Sequence, residues 1–518
     1  MNASDGLRIS AWRFPDKTAA IYFDKRCTYK VLDERVNRLA NGMLERGFKK
    51  GDKIAYMMFN NIEALEIIQA MLRIGAVLVP INFRLDNART EFIINHCDAT
   101  CLFVGSELID TVQSMMPNLK NIPKDNYILV GDAPVQMTRY EDVFSNNTEN
   151  PEADIKPKDI AYIAYTSGTT GMPKGVVTSQ RALMNNMKNA MMRGTGRAGI
   201  NPEDRSLLVL MPLVHSNSIW STSITFWYGG TNVIYRSKGF DAEEVLKIMD
   251  NEKVTTSSLV PFMLAKILDL PPEVRDKYNV SSVTSLGSGS AMLYPTVIEK
   301  MLNYFSGVRL SNSYGSSETG PATTLRHHEL TKKPDSIGKA IPGVDVKVLD
   351  DEGNEVPRGT IGNIWIKSDI IFEGYYKDPE RTAKSKRGDW ACAGDLGYCD
   401  ELGYFYLADR SDDIIVSAGE HIAPPEVENA ILSNPKVAEV AVIGIPDALY
   451  GQLVCAVVRM KDNEAATEEE IKEFCRSKGL PGFKLPRKVD FVTEFPTTLT
   501  GKILKRELRE RYKKDIKL

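Results

Sequence analysis

The sequence predicts an α/β fold, with parallel sheets covered by helices, that runs on into a β-rich stretch and a small α+β unit. Three observations carry this expectation. Short apolar runs alternate with helix-period segments over the first two-thirds of the chain. From about residue 336 to 407 the hydrophobic period falls to two, with many glycines between the runs. After Asp409 helical and strand patterns alternate again over about 100 residues, enough for a separate small core.

Taken in order, residues 52–58 form an apolar strand that leads into a helix over 62–73. The run 207–214 passes Pro212 and precedes an aromatic-rich helix around Trp220. Residues 254–260 lead through Pro261 into a helix over 263–270, and 283–286 meet Gly287-Ser288-Gly289 before a helix over 295–305. In strand–turn–helix arrangements of this kind ligands bind at the carboxyl ends of strands. In the β-rich stretch Val344, Val346 and Val348 alternate with Asp345 and Lys347, and Ile364 and Ile366 flank Trp365. Beyond it, 425–432 and 468–477 read as helices, and 437–445 and 453–460 as strands.

Composition narrows the function. The 518 residues make roughly three or four folding units. Hydrophobic residues are 43% and charged residues 26%, the balance of an ordinary globular protein. The 65 Lys/Arg against 68 Asp/Glu leave a net charge of −3, which denies the broad basic face of a nucleic-acid binder. Seven cysteines without C-x-x-C spacing indicate neither a disulfide framework nor a zinc site. Residues 1–17 lack an apolar leader core, and the most apolar stretch, 64–81, is interrupted by Glu66 and Arg73. A cytoplasmic chain without a membrane span is expected.

The segment Tyr165-Thr166-Ser167-Gly168-Thr169-Thr170-Gly171-Met172-Pro173-Lys174-Gly175 follows the apolar run 160–164. Glycines let backbone N–H groups approach a ligand, hydroxyls donate to oxyanions, and the lysine adds a point charge. Together they suit a polyphosphate. This is not a Walker A loop, because Pro173 stands where the glycine before the lysine belongs. The G-x-G-x-x-G of Gly194, Gly196 and Gly199 follows a helical run rather than a strand and reads as a surface turn. His327-His328 has no third ligand nearby and reads as an exposed loop.

Four further clusters add to the first. Residues 287–291 offer a flat backbone for an aromatic base at a strand end. Residues 312–319 put an amide, a phenol, hydroxyls and the Glu318 carboxylate in one loop, and one carboxylate suits Mg²⁺ on a triphosphate. Asp395, after Gly394, suits ribose hydroxyls, and 496–502 presents Lys502 on a glycine-supported turn. The last 35 residues, from Lys484, carry 11 Lys/Arg against 5 Asp/Glu, a local cationic patch.

In this order, from about Tyr29 to Lys502, the motifs resemble the adenylate-forming superfamily of acyl-CoA synthetases, firefly-type luciferases and nonribosomal adenylation domains. The resemblance implies an N-terminal domain over 1–408, made of two doubly wound α/β subdomains and a small β-barrel within the β-rich 335–408. It further implies a hinge at 409–412 and a mobile α+β lid over 413–518. ATP, Mg²⁺ and CoA are the implied cofactors, with a small carboxylic acid as substrate and a homodimer left open. By resemblance, Thr166, Ser167, Gly168, Thr169, Thr170, Gly171 and Lys174 would grip pyrophosphate. Gly289, Ser290, Ala291 and Asn312 would line the adenine, with Tyr314 stacked near it beside Gly315. Ser317 would touch the α-phosphate, Glu318 would hold Mg²⁺, and Asp395 and Arg410 would hold the ribose. Asp412 falls on the hinge and Lys502 on the catalytic lysine, which acts with Glu318, His215 and Thr166.

The implied reaction joins a carboxylic acid to CoA through an acyl-adenylate, releasing pyrophosphate and then AMP, with domain rotation between the two steps. Ala418 and Gly419 would border the pantetheine channel, although Ala418 stands where a second glycine is frequent. Arg84, Tyr450 and the segment Phe483-Lys484-Leu485-Pro486-Arg487 would meet the nucleotide end of CoA, which gives the basic patch a purpose. His215, Trp220, Gly289 and Gly315 would form the acyl pocket. Where amino-acid adenylation domains usually present an aspartate, this chain has His215-Ser216-Asn217-Ser218, so an apolar aryl, alicyclic or medium-chain acid is expected. Two alternatives stay open: an acyl-AMP ligase that loads a carrier protein, and a catalytically silent nucleotide-binding relative. Ser179-Gln180 also departs from the commoner Thr-His.

Overall fold

The computed structural model describes residues 2–166, 172–194, 201–236, 238–290, 293, 295–410, 413, 415–417, 420–447, 451–498 and 501–513. It is a mixed α/β fold with a large N-terminal and a small C-terminal domain. Among the described residues no helix is long and apolar enough to cross a membrane.

Two sheets dominate. The eight-stranded sheet runs, in spatial order, Gly374–Tyr375, Lys174–Ser179, Ile160–Thr166, Val77–Pro80, Lys53–Met57, Cys101–Gly105, Tyr127–Val130 and Thr138–Arg139. The nine-stranded sheet runs Lys339–Ala340, Gly320–Leu325, Arg309–Ser316, Ser285–Ser288, Thr256–Leu259, Ser206–Val209, Thr231–Ile234, Thr18–Tyr22 and Lys25–Thr28. Their middles are parallel, as the alternation of apolar runs and helices requires. Residues such as Ile54, Leu78, Leu102 and Leu286 are fully buried there.

The edges depart from the all-parallel expectation. Strand Ile160–Thr166 pairs antiparallel with Lys174–Ser179, so the Ser/Thr/Gly segment joins two strands rather than a strand and a helix. Arg309–Ser316 likewise pairs antiparallel with Gly320–Leu325, which puts Asn312, Ser313 and Tyr314 on a strand and not in the loop expected for them. Neither correction was available from local pattern: a hairpin is set by which strand a segment pairs with, and that partner is remote from any window of hydrophobic period.

Helix starts obey capping chemistry. The Asn61 side-chain Oδ1 accepts from Ala64 N–H at 2.8 Å to open Ile62–Ile74, and Gly75 closes it in the left-handed region. Between the two sheets, the buried Asn60 is the stitch. Its amide donates to the Met211 and Tyr235 carbonyls, both at 3.1 Å, and its oxygen accepts from Leu213 N–H at 2.7 Å. Tyr56 adds a hydroxyl bond to the Leu213 carbonyl at 2.9 Å. These bonds fix the turn that delivers His215.

The β-rich stretch forms a six-stranded sheet around Ile364 and Ile366, both wholly buried. It is sewn to the nine-stranded sheet by a bridge between Gly338 and Phe405. The small domain packs helices Pro424–Leu432, Glu468–Ser477 and Lys505–Lys513 on the sheet Val437–Asp447, Gly451–Met460 and Lys488–Phe491. His327 and His328 are exposed on a short 3₁₀ turn, as expected; of the glycine triplet at 194–199, only Gly194 lies within the described residues, at a helix end.

Gly338 sits at φ +90°, and a Cβ there would overlap the backbone of Thr324 and Leu325. Gly338→Ala should therefore cost about 2–4 kcal/mol and lower the thermal midpoint. An unchanged midpoint would mean that the seam yields freely.

Candidate active site

At the carboxyl ends of the two large sheets an acid, a base and a phenol close a triangle. Lys174 opens its hairpin strand, Glu318 occupies the turn after Arg309–Ser316, and Tyr375 lies on the two-residue edge strand of the other sheet. Lys174 Nζ lies 2.8 Å from Glu318 Oε1 and donates to the Tyr375 hydroxyl at 2.8 Å. That hydroxyl donates to the same Glu318 oxygen at 2.9 Å, and the ammonium rests 4.6 Å from the tyrosine ring centre. Burial pushes the Glu318 carboxyl up, but the Lys174 charge and the two donors outweigh it and hold the carboxyl below its ordinary value. Burial and the adjacent carboxylate push the Tyr375 hydroxyl well above its ordinary value, so it remains a donor.

The turn that carries Glu318 is fixed by Ser316 and Thr319, which exchange backbone-to-hydroxyl bonds at 3.0 and 3.2 Å, with Ser317 between them. Upstream on the strand, the Tyr314 hydroxyl donates to Asp395 Oδ2 at 2.8 Å, and Gly315 sits at an irregularity in the pairing. Asp395 pairs in register with Arg410, whose backbone alone is described. Asn312 lies beside Ser288, and Gly289 and Ser290 follow directly. Ser290 sits at φ +66°, a left-handed conformation that costs a non-glycine residue about 1–2 kcal/mol and collects at functional sites. The buried hydroxyl oxygens of Thr166 and Ser288 have no hydrogen-bond partner among the described residues. Orphaned donors at a strand end suit a ligand's oxyanions or base.

His215 caps the helix Ser216–Tyr228, its Nδ1 accepting from Asn217 N–H at 3.3 Å, which leaves Nε2 as the protonated nitrogen. One turn on, Trp220 Nε1 donates to the buried Tyr162 hydroxyl at 2.8 Å and thereby ties this helix to the other sheet.

Lys502 is brought to the same end. Thr498 N–H donates to the Lys502 carbonyl at 2.8 Å, Gly501 N–H donates to the Thr498 carbonyl at 3.0 Å, and Gly501 turns at φ +74°. A Cβ on Gly501 would lie 3.5 Å from Phe262, which begins the helix that follows strand Thr256–Leu259. That strand's Leu259 is paired with Ser288. The lysine turn of the small domain thus lies near the helix that follows a strand paired with Ser285–Ser288, and Lys502 itself is exposed.

The residues expected around CoA are more scattered. Arg84 follows strand Val77–Pro80 and is exposed, and partial desolvation pulls its guanidinium below the ordinary value. Lys484 is held by both oxygens of Glu426, at 2.7 and 2.8 Å, beside an exposed Phe483, and Arg487 N–H donates to the Val454 carbonyl. Ser167, Gly168, Thr169, Thr170, Gly171, Ala291, Asp412, Ala418, Gly419 and Tyr450 lie outside the described residues.

Sequence reasoning missed Tyr375, Tyr162, Asn60 and Phe262. Only Phe262, directly after the strand-ending Pro261, carried a local signal. As to a metal, no cluster of three His, Cys, Asp or Glu among the described residues could hold one. A lone, buried, ionised carboxylate fits Mg²⁺, which takes one or two carboxylates and fills its remaining positions with phosphate oxygens and water.

Comparison with known proteins adds the rest. Residues 7–376 match the AMP-binding enzyme family and 426–502 match the AMP-binding enzyme C-terminal domain. The chain is similar to a feruloyl-CoA synthase of Amycolatopsis, 32% identical over 501 residues, covering 96% of each chain. It is similar in structure to the anthranilate CoA ligase AuaEII in complex with anthranoyl-AMP, with a TM-score of 0.88 and 27% identity over 99% of this chain and 97% of that one. It is also similar to the amide bond synthetase McbA from Marinactinospora thermotolerans, with a TM-score of 0.87 and 26% identity over 99% and 100%.

Burial pushes the His215 imidazole down from 6.5 to about 4. Between those values the unfolded chain takes up a proton that the native site refuses, so this residue's share of stability is full above 6.5 and lost as pH falls towards 4. His215→Asn keeps a helix-capping acceptor but removes the titrating ring. Thermal melts should show that variant losing less stability than the unaltered chain between about pH 7 and about pH 4.5; parallel losses would mean that the ring protonates freely in place.

Proposed function

The chain belongs to the AMP-binding enzyme family, and from that premise we propose that it is an AMP-forming acyl-CoA synthetase for an apolar carboxylic acid. The observation that supports this is the approach of Gly501, next to Lys502, to Phe262 on the helix that follows the strand paired with Ser285–Ser288. A silent nucleotide binder would have no use for a lysine delivered there from a separate domain.

In the first step a carboxylate oxygen of the acid attacks the α-phosphorus of ATP, and the bond to the leaving pyrophosphate breaks. Two anions must meet, and the ammonium of Lys502 offsets their repulsion. At 4 Å each charge pair is worth about 4 kcal/mol at an effective dielectric of 20. Lys174, with the hydroxyls and backbone N–H groups of 166–171, grips the departing phosphates, while Tyr314, Asp395 and Arg410 orient adenine and ribose. Glu318 would hold Mg²⁺, which supplies neutralising charge to the triphosphate.

In the second step the sulfur of CoA attacks the acyl carbon and AMP leaves. The thiol needs the space Lys502 occupied, so the lid, 413–518, swings about a hinge at 409–412 centred on Asp412 and withdraws the lysine from the body, 1–408. Arg84, Phe483, Lys484 and Arg487 then meet the CoA nucleotide, with Ala418, Gly419 and Tyr450 along the pantetheine. These contacts favour free CoA over a carrier protein, whose pantetheine arm lacks the adenosine phosphates. For the acid, Trp220 is fixed by Tyr162 and His215 is neutral, which supports an uncharged, flat pocket. Aryl acids therefore come first, consistent with the feruloyl and anthranoyl groups in the names of the relatives.

ATP–pyrophosphate exchange across aryl, alicyclic and medium-chain fatty acids, with and without CoA, tests the reading directly. Lys502→Ala should cut exchange at least ~10²-fold while sparing thioester formation from preformed acyl-adenylate; equal loss of both would defeat the two-step assignment. Arg84→Ala should raise the KM for CoA and leave exchange intact. An unmoved KM would take Arg84 out of the site.

A further inference from the structure

Lys174 and Glu318 are paired with each other, yet nucleotide and metal require them apart. The ammonium must turn to phosphate oxygens and the carboxylate to a cation. Tyr375 touches both, through one hydroxyl that accepts from Lys174 and donates to Glu318, each bond under 3 Å. It is also anchored by contacts other than the Lys174 and Glu318 side chains. Its backbone pairs with Val176, its N–H donates to Thr382 Oγ1 at 2.8 Å, and its ring packs edge-on against Phe372 at 5.0 Å. Phe372 N–H in turn donates to the Glu318 carbonyl at 2.8 Å, so the tyrosine's segment is bound to the turn that carries the acid.

We propose that Tyr375 is a positioning residue for nucleotide activation: it holds Lys174 and Glu318 together in the unliganded protein and keeps each aimed as they part around Mg²⁺ and ATP. The proposal rests on the assignment of Lys174 to phosphate and Glu318 to the metal. Only a group that both donates and accepts can stay bonded to the two partners through that exchange, because each loses the other and retains the hydroxyl. A phenylalanine would keep the ring under the Lys174 ammonium and the contact with Phe372, and would lose both hydrogen bonds. The ion pair would then lose the hydroxyl that bridges it, and separating the two charges would fall more heavily on the incoming ligand.

The test compares Tyr375→Phe with the unaltered chain in three measurements. The KM for Mg·ATP in pyrophosphate exchange should rise about 10- to 100-fold, the scale of a lost hydrogen bond to a charged group. Thioester formation from preformed acyl-adenylate should not change. The rise in thermal midpoint produced by Mg·ATP should shrink towards that produced by ATP with a chelator, and by more than any fall in the ligand-free midpoint. A variant matching the unaltered chain in KM and in the Mg-dependent melting shift overturns the proposal. So does equal loss of both half-reactions with a lowered ligand-free midpoint, which would mark a structural role alone. If the unaltered chain shows neither exchange with any acid nor a melting shift with Mg·ATP, the functional assignment fails, and this proposal with it.

Discussion

The ion pair between Lys174 and Glu318 is the constraint on which the rest of this structure turns. A lone ionised group taken out of water costs several kcal/mol, so neither residue could be carried to the buried junction of the sheets without the other. The lysine comes from the eight-stranded sheet and the acid from the nine-stranded one. Their attraction therefore registers the two sheets against each other at the end where strands Arg309–Ser316 and Ile160–Thr166 finish. The Asn60 stitch does the same for neutral groups a few strands away. With the sheets registered, the triangle closes on Tyr375, while the Tyr314–Asp395 bond joins the nine-stranded sheet to the six-stranded one.

The same architecture explains why activation chemistry would need a second domain. The fixed parts of the site are already committed. The carboxylate is paired, the phenol is bonded twice, the imidazole of His215 is a helix cap, and the indole of Trp220 is tied to a phenol. On the proposed reading the further cation is Lys502, carried with Thr498 and Gly501 on a turn that belongs to neither large sheet. A Cβ placed on Gly501 would reach only ordinary van der Waals distance from Phe262.

Much of this was legible in the sequence. The alternation of strand and helix, the β-rich middle and the small terminal unit all stand as the periodicity implies, and the helix 468–477 falls on the residues expected of it. Lys174, Glu318, Tyr314, Asp395 and Lys502 announced themselves through charge or hydroxyl chemistry beside glycines. Tyr375 did not, because a tyrosine in a short strand reads as an ordinary β-former, and its importance comes from a lysine 201 positions away. Asn60 was silent for the same reason: its bonds to Met211, Leu213 and Tyr235 reach across more than 150 residues. Local pattern gives the faces of elements; which faces meet is decided by tertiary pairing, and the hairpins at 160–179 and 309–325 show how far the two can differ.

The hydrogen bond from Trp220 to Tyr162 has a consequence for how this pocket could diversify. A smaller side chain at 220 would open room for a bulkier acid but take from the buried Tyr162 hydroxyl the indole bond that ties the helix to the opposite sheet. A lineage shifting its substrate by that route would loosen that tie unless position 162 or its hydroxyl neighbours, Thr178 and Ser216, changed to compensate. Paired replacement at 162 and 220 among descendants would be the genetic trace of a pocket whose wall is shared between two layers.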